Sequence, residues 1–476
     1  MSPRKAIVAA LAAALAGCAA MTSPVREAPA LPDAWSAALP ATSSATEREL
    51  TEWWAQFGDA TLTGFVERAL VHNRDVREAV ARIAETRALA ASVDARAFPT
   101  VEASASAARD RISENNRIPL RGIRNAVGMY QAGFDASWEL DIFGGIRNAR
   151  EAAAADARRA QFDREAVGIS VAAEVAAAYF RVRGAQARLA SLDQQVDVAR
   201  ETIAIVEARV RAGLTSEIDL VRAKEILAAL QARRPPLLGT VDVNSRRLGV
   251  LVGAQSGSLV EALAAPRALP AVANRLPATV PAQLLARRPD LRAVEQALEA
   301  EYARVGVAEA DRYPRLGLNL AVGLLSLSTG NLATSSSALW NAGLAARAPV
   351  YDAGARDAQV AAARSRYDQA AIRYDHLAAK AVEEVESAAL RYQREREHGN
   401  ALTAVLAATE DARNLALARY QGGLGDFLSV LDAQRQLFAA EDEEVLSREL
   451  ALAHMASLYK ALGGGWKPAA YQVGSR

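Results

Sequence analysis

Between Gln131 and Ile142 the chain alternates without exception. Ala132, Phe134, Ala136, Trp138, Leu140 and Ile142 hold one parity, and Gln131, Gly133, Asp135, Ser137, Glu139 and Asp141 hold the other. A period of two is the mark of a strand with one apolar and one polar face. The alternation stops at Phe143-Gly144-Gly145, and from Ile146 an Ala- and Arg-rich run keeps helical spacing to Arg211, with no proline before Pro235. A helix of about 65 residues spans roughly 100 Å at ~1.5 Å per residue. No covering layer for the apolar parity follows in sequence. Such a strand faces lipid, and such a helix carries the chain far from it.

The same order of elements occurs twice. Asp75-Val76-Arg77 has its counterpart in Asp290-Leu291-Arg292, and Phe98-Pro99 in Tyr313-Pro314. A weak alternation (Val101, Ala103, Ala105, Ala107) precedes the strong one. In the second half, Leu316 to Leu324 alternate, then Trp340, Ala342, Leu344 and Ala346. The long helix to Arg211 turns at Gly213 and returns from Glu217 to about Val252, with an expected break at Pro235-Pro236. Its copy runs from Ala355 to Tyr420, turns at Gly422 to Asp426, and returns from Phe427 to about Leu462. A match at several points with near-constant offset is a tandem duplication. The expected division is 1–17 signal peptide, 18–50 lipidated linker, 51–260 first repeat, 261–466 second repeat and 467–476 tail. A single helix is expected from Leu62 to about Ala97, where Pro99 stops it.

Four one-sided strands cannot close a barrel alone. Open edges are not tolerated in lipid, because unpaired backbone groups there are costly. Closure must come from other copies, around a wet interior lined by Gln131, Asp135, Glu139, Asn319, Asn341 and Arg347. Tyr130, Trp138 and Trp340 are placed to be interfacial aromatics. The helices carry Ala at core spacing, for example Ala173 and Ala176, flanked by Arg and Glu. A lone hairpin of that length has almost no core, so packing beside others must supply one.

Arg4-Lys5 followed by Ala6 to Ala16 is an export signal, too short to span a bilayer. It ends in Leu15-Ala16-Gly17-Cys18, which resembles a bacterial lipobox. The alternative is an ordinary signal with an incidental cysteine. Cys18 is the sole cysteine, so an intrachain disulfide is excluded and lipidation is its natural use. Ala19, rather than Asp, resembles the outer-membrane-sorted class. Net charge of +1 argues against a nucleic-acid partner. The histidines at 72, 376, 398 and 454 lack metal-ligand spacing. Neither a nucleophile elbow nor a phosphate-cradling loop is present. No catalytic residue, metal or cofactor is expected.

Several stretches together resemble the TolC-like outer-membrane factor family, in its NodT-like lipoprotein branch. They are Leu15 to Cys18, Trp53-Trp54-Ala55-Gln56-Phe57, Ser137 to Gly144, Arg287-Arg288-Pro289-Asp290-Leu291, Leu431-Asp432-Ala433-Gln434-Arg435, and Leu458 to Trp466. The resemblance covers essentially all of the chain beyond the linker. It implies a mainly α fold of long helical hairpins with four β-strands per protomer. A homotrimer would build a twelve-stranded outer-membrane barrel and a tapered periplasmic tunnel. The tunnel would dock on a periplasmic adaptor (membrane fusion protein) and an inner-membrane pump of the RND type or similar, exporting drugs or other small molecules. Two alternatives are a conduit for type I protein secretion and, in another class, a periplasmic coiled-coil adaptor.

The resemblance places a closed tip at the two helical turns. Asp426 is either an N-cap for the last helix or a member of a three-fold acidic ring, or both. Glu217 and Asp219 carry the same pair of readings. Many relatives have an Asp where this chain has Gly425, and Asp426 follows one step later. Arg209 and Arg419 precede the turns at equivalent positions. They either satisfy the last carbonyls of a helix or pair with acidic residues across subunits. Gly213 and Gly423 supply positive φ and shape the surface an adaptor would grip.

Overall fold

A computed structural model describes residues 47–111, 126–270 and 287–467. The signal peptide, Cys18 and most of the linker lie outside the described residues. So do the loop ahead of the second strand and all but the first residue of the tail.

The described elements run α1 (Glu47–Thr51), a 3-10 turn (Trp53–Phe57), α2 (Ala60–His72), α3 (Arg74–Ala95), β1 (Thr100–Arg111) and β2 (Ala126–Leu140). Then come α4 (Gly145–Arg211), α5 (Glu217–Leu251), α6 (Pro289–Ala310), β3 (Arg315–Ser326) and β4 (Ala338–Arg347). The last two helices are α7 (Ala355–Gln421) and α8 (Phe427–Ala461). The duplication is visible in the bounds. α4 and α7 each have 67 residues, and α5 and α8 each have 35. α3 and α6 both have 22, and β1 and β3 both have 12.

Two expectations need correction. The helix expected from Leu62 to Ala97 is interrupted at Asn73. This buried side chain accepts from the amides of Asp75 and Val76 at 2.8 and 3.3 Å, capping α3. Its Nδ2 donates to Leu251 O at 2.9 Å, tying the break to the end of α5. Conversely, Pro235-Pro236 does not break α5. Each proline removes one helical hydrogen bond. Leu230 and Leu237, buried on either side, hold the helix straight through by packing.

The chain divides into two compact units, each drawing segments from both repeats. One comprises Arg82–Ala160 and Ala293–Tyr374 and holds the sheet. Its order is β1-β2-β3-β4, every pair antiparallel. The other holds the main apolar core, in which Trp53 stacks on Tyr459 at 5.5 Å and Phe57 meets Phe180 edge-on at 5.0 Å. Here the sequence motifs prove to be packing devices. Gln56 Oε1 accepts from Tyr459 Oη at 2.8 Å. Buried Arg288 is shared by Asp290 and Glu384 at 2.6 and 2.7 Å. Buried Gln434 donates to Thr202 Oγ1 at 2.8 Å.

Candidate functional site

The sheet register keeps the parities of all four strands in step. One cross-strand row reads Ala103–Phe134–Val322–Trp340, and the adjacent row reads Glu102–Asp135–Ala321–Asn341. A one-residue slip in any pair would mix the faces. One face is apolar from β1 to β4 and exposed, apart from Arg109 and Arg111 at the end of β1: Phe134 is 59% accessible, Val322 53% and Trp340 78%. The other face is polar or small, with Val127, Met129, Leu325 and Leu339 as exceptions. Ser104 Oγ donates to Asp135 Oδ2 across it at 3.0 Å.

Tyr130 and Trp138 share the apolar face, eight residues apart on β2. At ~3.3 Å per residue they stand roughly 26 Å apart along the strand, which at a tilt of about 40° spans about 20 Å of the ~25 Å apolar band of a membrane barrel. Trp340 lies on the same face in the row of Phe134, between those two levels. Sequence reasoning missed a second aromatic set. Phe98, Phe143, Tyr313 and Tyr351 stand at the four junctions between helices and strands, and Phe143 stacks on Tyr313 at 4.8 Å. The signal was present in the repeated Phe98-Pro99 and Tyr313-Pro314. The strand-to-helix junctions are fastened alike. Asp141 accepts from the Ile146 and Arg147 amides at 3.0 and 2.7 Å, and Asp352 from Gly354 and Arg356 at 3.1 and 3.2 Å.

In the other unit, the turns after α4 and α7 have one geometry. Gly213 and Gly423 have φ of 70° and 73°. The Leu214 amide donates to Arg209 O at 2.9 Å, and that of Leu424 to Arg419 O at 2.9 Å. This is the bond pattern that closes a helix on a left-handed glycine. Ser216 caps α5 by accepting from the Ile218 amide at 3.3 Å. Asp426, at the equivalent place, caps α8 by accepting from Ser429 N and Oγ at 2.8 and 3.0 Å. These bonds hold its carboxyl below the usual carboxylate range, the Ser429 amide contributing most. Gly425 occupies the place of Thr215, whose hydroxyl donates to Asp219 Oδ2 at 2.6 Å.

Arg209 does not cap its own helix. Its guanidinium lies over the buried Tyr420 ring at 4.6 Å, and Nη1 donates to Gln421 O at 3.3 Å, the last residue of α7. Arg419 and Glu217 are exposed, and neither forms an ion pair among the described residues. Leu214 and Leu424 are 66% and 76% accessible, so each turn presents one bare leucine.

A family profile described as "outer membrane efflux protein" matches residues 65–254 and 280–464. Outer membrane protein OprJ of Pseudomonas aeruginosa is 31% identical over 473 residues, covering 96% of each chain. The solvent efflux pump outer membrane protein SrpC of Pseudomonas putida is 30% identical over 414 residues, covering 86% of each. The solved structure of the outer-membrane channel OprN superposes with a TM-score of 0.87 at 33% identity, over 94% of this chain and 99% of that one.

Proposed function

The chain belongs to the outer membrane efflux protein family, whose members are outer-membrane channel components of efflux systems with a helical tunnel in the periplasm, and from that premise we propose how it works. It is a homotrimeric, passive conduit for small molecules. A periplasmic adaptor and an inner-membrane pump of the RND type load it. SrpC is named for solvent efflux, which supports small molecules as the class of cargo.

The observation that carries the reading is the sheet. It has one apolar face and two unpaired edges, β1 and β4. In lipid those edges need partners, and a second and third copy supply them by joining β4 to β1. Tyr130 and Trp138 then anchor the two interfaces, Trp340 adds an aromatic between them, and Phe98, Phe143, Tyr313 and Tyr351 ring the periplasmic side. The two turns form the closed tip. Asp426, with Glu217 and Asp219, lends it negative charge, and Arg209 ties the hairpins together. Leu214 and Leu424 offer the adaptor an apolar grip. By sequence the protomer is two copies of one unit, 51–260 and 261–466, behind a lipidated Cys18.

The test is fractionation of cells expressing the full chain. The protein is expected in the outer membrane and migrates as a trimer on a gel unless boiled. Cys18→Ser is expected to lose palmitate labelling while still forming trimers. A soluble monomer overturns the conduit.

A further inference from the structure

The polar face of the sheet segregates its charges by repeat. Its carboxylates on the described strands, Glu102, Asp110, Asp135 and Glu139, all lie on the first hairpin, and its arginines, Arg315 and Arg347, lie on the second. The register sets like beside like: Glu102 faces Asp135, and Arg315 faces Arg347. Directly opposed like charges destabilise a sheet. This pattern therefore does not serve the fold.

At one end of this face lies a cavity of about 690 Å³, lined among others by Glu139, Arg315, Asn319 and Arg347. Its floor is nearly bare, because the row from Glu139 continues as Gly317 and Ala345. Arg315 is held by Asp311 at 2.5 Å. Glu139 and Arg347 form no ion pair among the described residues. They sit two strands and two residues apart, roughly 12 Å between backbones. Across water that separation is worth only ~0.3 kcal/mol, too little to draw the side chains together. Glu139 feels the charge of nearby Arg315 without pairing with it, so both Glu139 and Arg347 can still take a third party.

We propose that this cup is an orienting site for zwitterionic or strongly dipolar solutes, with the cationic end at Glu139 and the anionic end at Arg347. It rests on the trimeric conduit, in which this face is the lumen wall and three copies alternate acidic and basic stripes around it. A ring of one sign selects ions by charge. Alternating stripes set the field across the passage and select by dipole.

The experiment uses purified full-length trimers in planar bilayers, with a short zwitterionic sulfobetaine added on the barrel side. The probe is expected to interrupt the single-channel current. Glu139→Gln and Arg347→Gln are each expected to shorten the interruptions about two- to fivefold, the range of an exposed ion pair. The exchanged pair Glu139→Arg/Arg347→Glu restores them. A propanesulfonate anion of similar length responds to Arg347→Gln alone. Raising salt from about 0.1 M to about 1 M shortens the sulfobetaine events by screening. Intact channels whose wild-type current is not interrupted, whose single variants match wild type, or whose exchanged pair stays as poor as the singles overturn this site alone. A preparation with neither unboiled trimers nor current steps brings down the conduit, and this site with it.

Discussion

Arg209 covers the face of Tyr420 with its guanidinium 4.6 Å from the ring centroid, joining the last turn of α4 to the last turn of α7. The two residues belong to different hairpins, so the contact resists their separation. A cation over a buried ring is worth about 1–2 kcal/mol, and the bond to Gln421 O adds a charge-assisted hydrogen bond. The tie is also imperfect: Arg209 Nε and Tyr420 Oη are buried without partners among the described residues. Unsatisfied polar groups tax the arrangement that buries them. Arg209→Ala is expected to raise single-channel conductance in planar bilayers. Arg209→Lys is expected to fall between, because a point charge loses the planar stack. Conductance identical in all three proteins would remove Arg209 from the gate.

Asp426 combines two tasks that one substitution set can separate. Its carboxylate caps α8 through Ser429. Because its pKa is lowered in the fold, the capping contribution is present above the ordinary carboxylate range and is lost as pH falls through the lowered value. Asp426→Ser keeps a cap and discards the charge, whereas Asp426→Ala discards both. Hydrogen exchange at the Ser429 amide should quicken in the Ala variant and not in the Ser variant. If the charge narrows the pore, conductance and cation preference change equally in both. Change in the Ala variant alone would mean that only the cap matters.

Most of this architecture is legible in the sequence, because it is written in periods. Alternation over β2 and a proline-free run over α4 each exceed what chance or a soluble core would produce, and duplication doubled both signals. The misses share a cause. Pro235-Pro236 reads as a breaker locally, yet Leu230 and Leu237 are buried by residues distant in sequence. Asn73 reads as one more polar position in a helix, yet Leu251 gives its amide a partner across the unit. The contacts between the two turns were legible only in outline. The turns and their glycines carry a local signature, but nothing near Arg209 in sequence reveals that its partner is Tyr420.

The paired glycines give a control in which backbone alone is tested. Gly213 and Gly423 hold positive φ, and an added methyl would meet nothing within 4 Å at either site. Alanine there costs only the left-handed conformation, about 1–2 kcal/mol. Gly213→Ala and Gly423→Ala should therefore lower stability by similar amounts, seen as matching drops in the thermal midpoint. Asn, which tolerates this region, should cost less. Unequal losses would show that something other than these turns covers one tip.

Glu449 on α8 supplies a pH dependence. Its carboxylate sits against the backbone of α4 at Gly184, in the space a larger residue's Cβ would take. Burial pushes its pKa up from 4.5 to about 7, against the pull of Arg188 and Arg181. Below pH 4.5 the carboxyl is protonated in the folded and the unfolded chain alike, so it has no effect. Between 4.5 and about 7 the unfolded chain releases the proton and the fold keeps it. Stability therefore falls as pH rises through that window and stays low above it. The full shift corresponds to about 3 kcal/mol, and with the group a third open to solvent about 1–2 kcal/mol is realistic. Glu449→Gln removes the titration without orphaning Arg188, which keeps its two-pronged pair with Asp442 at 2.7 and 2.9 Å. Thermal midpoints at pH 5 and pH 8 should differ in the wild type by more than in the variant, and the variant should be the more stable at pH 8. Parallel pH curves would assign the window to another group.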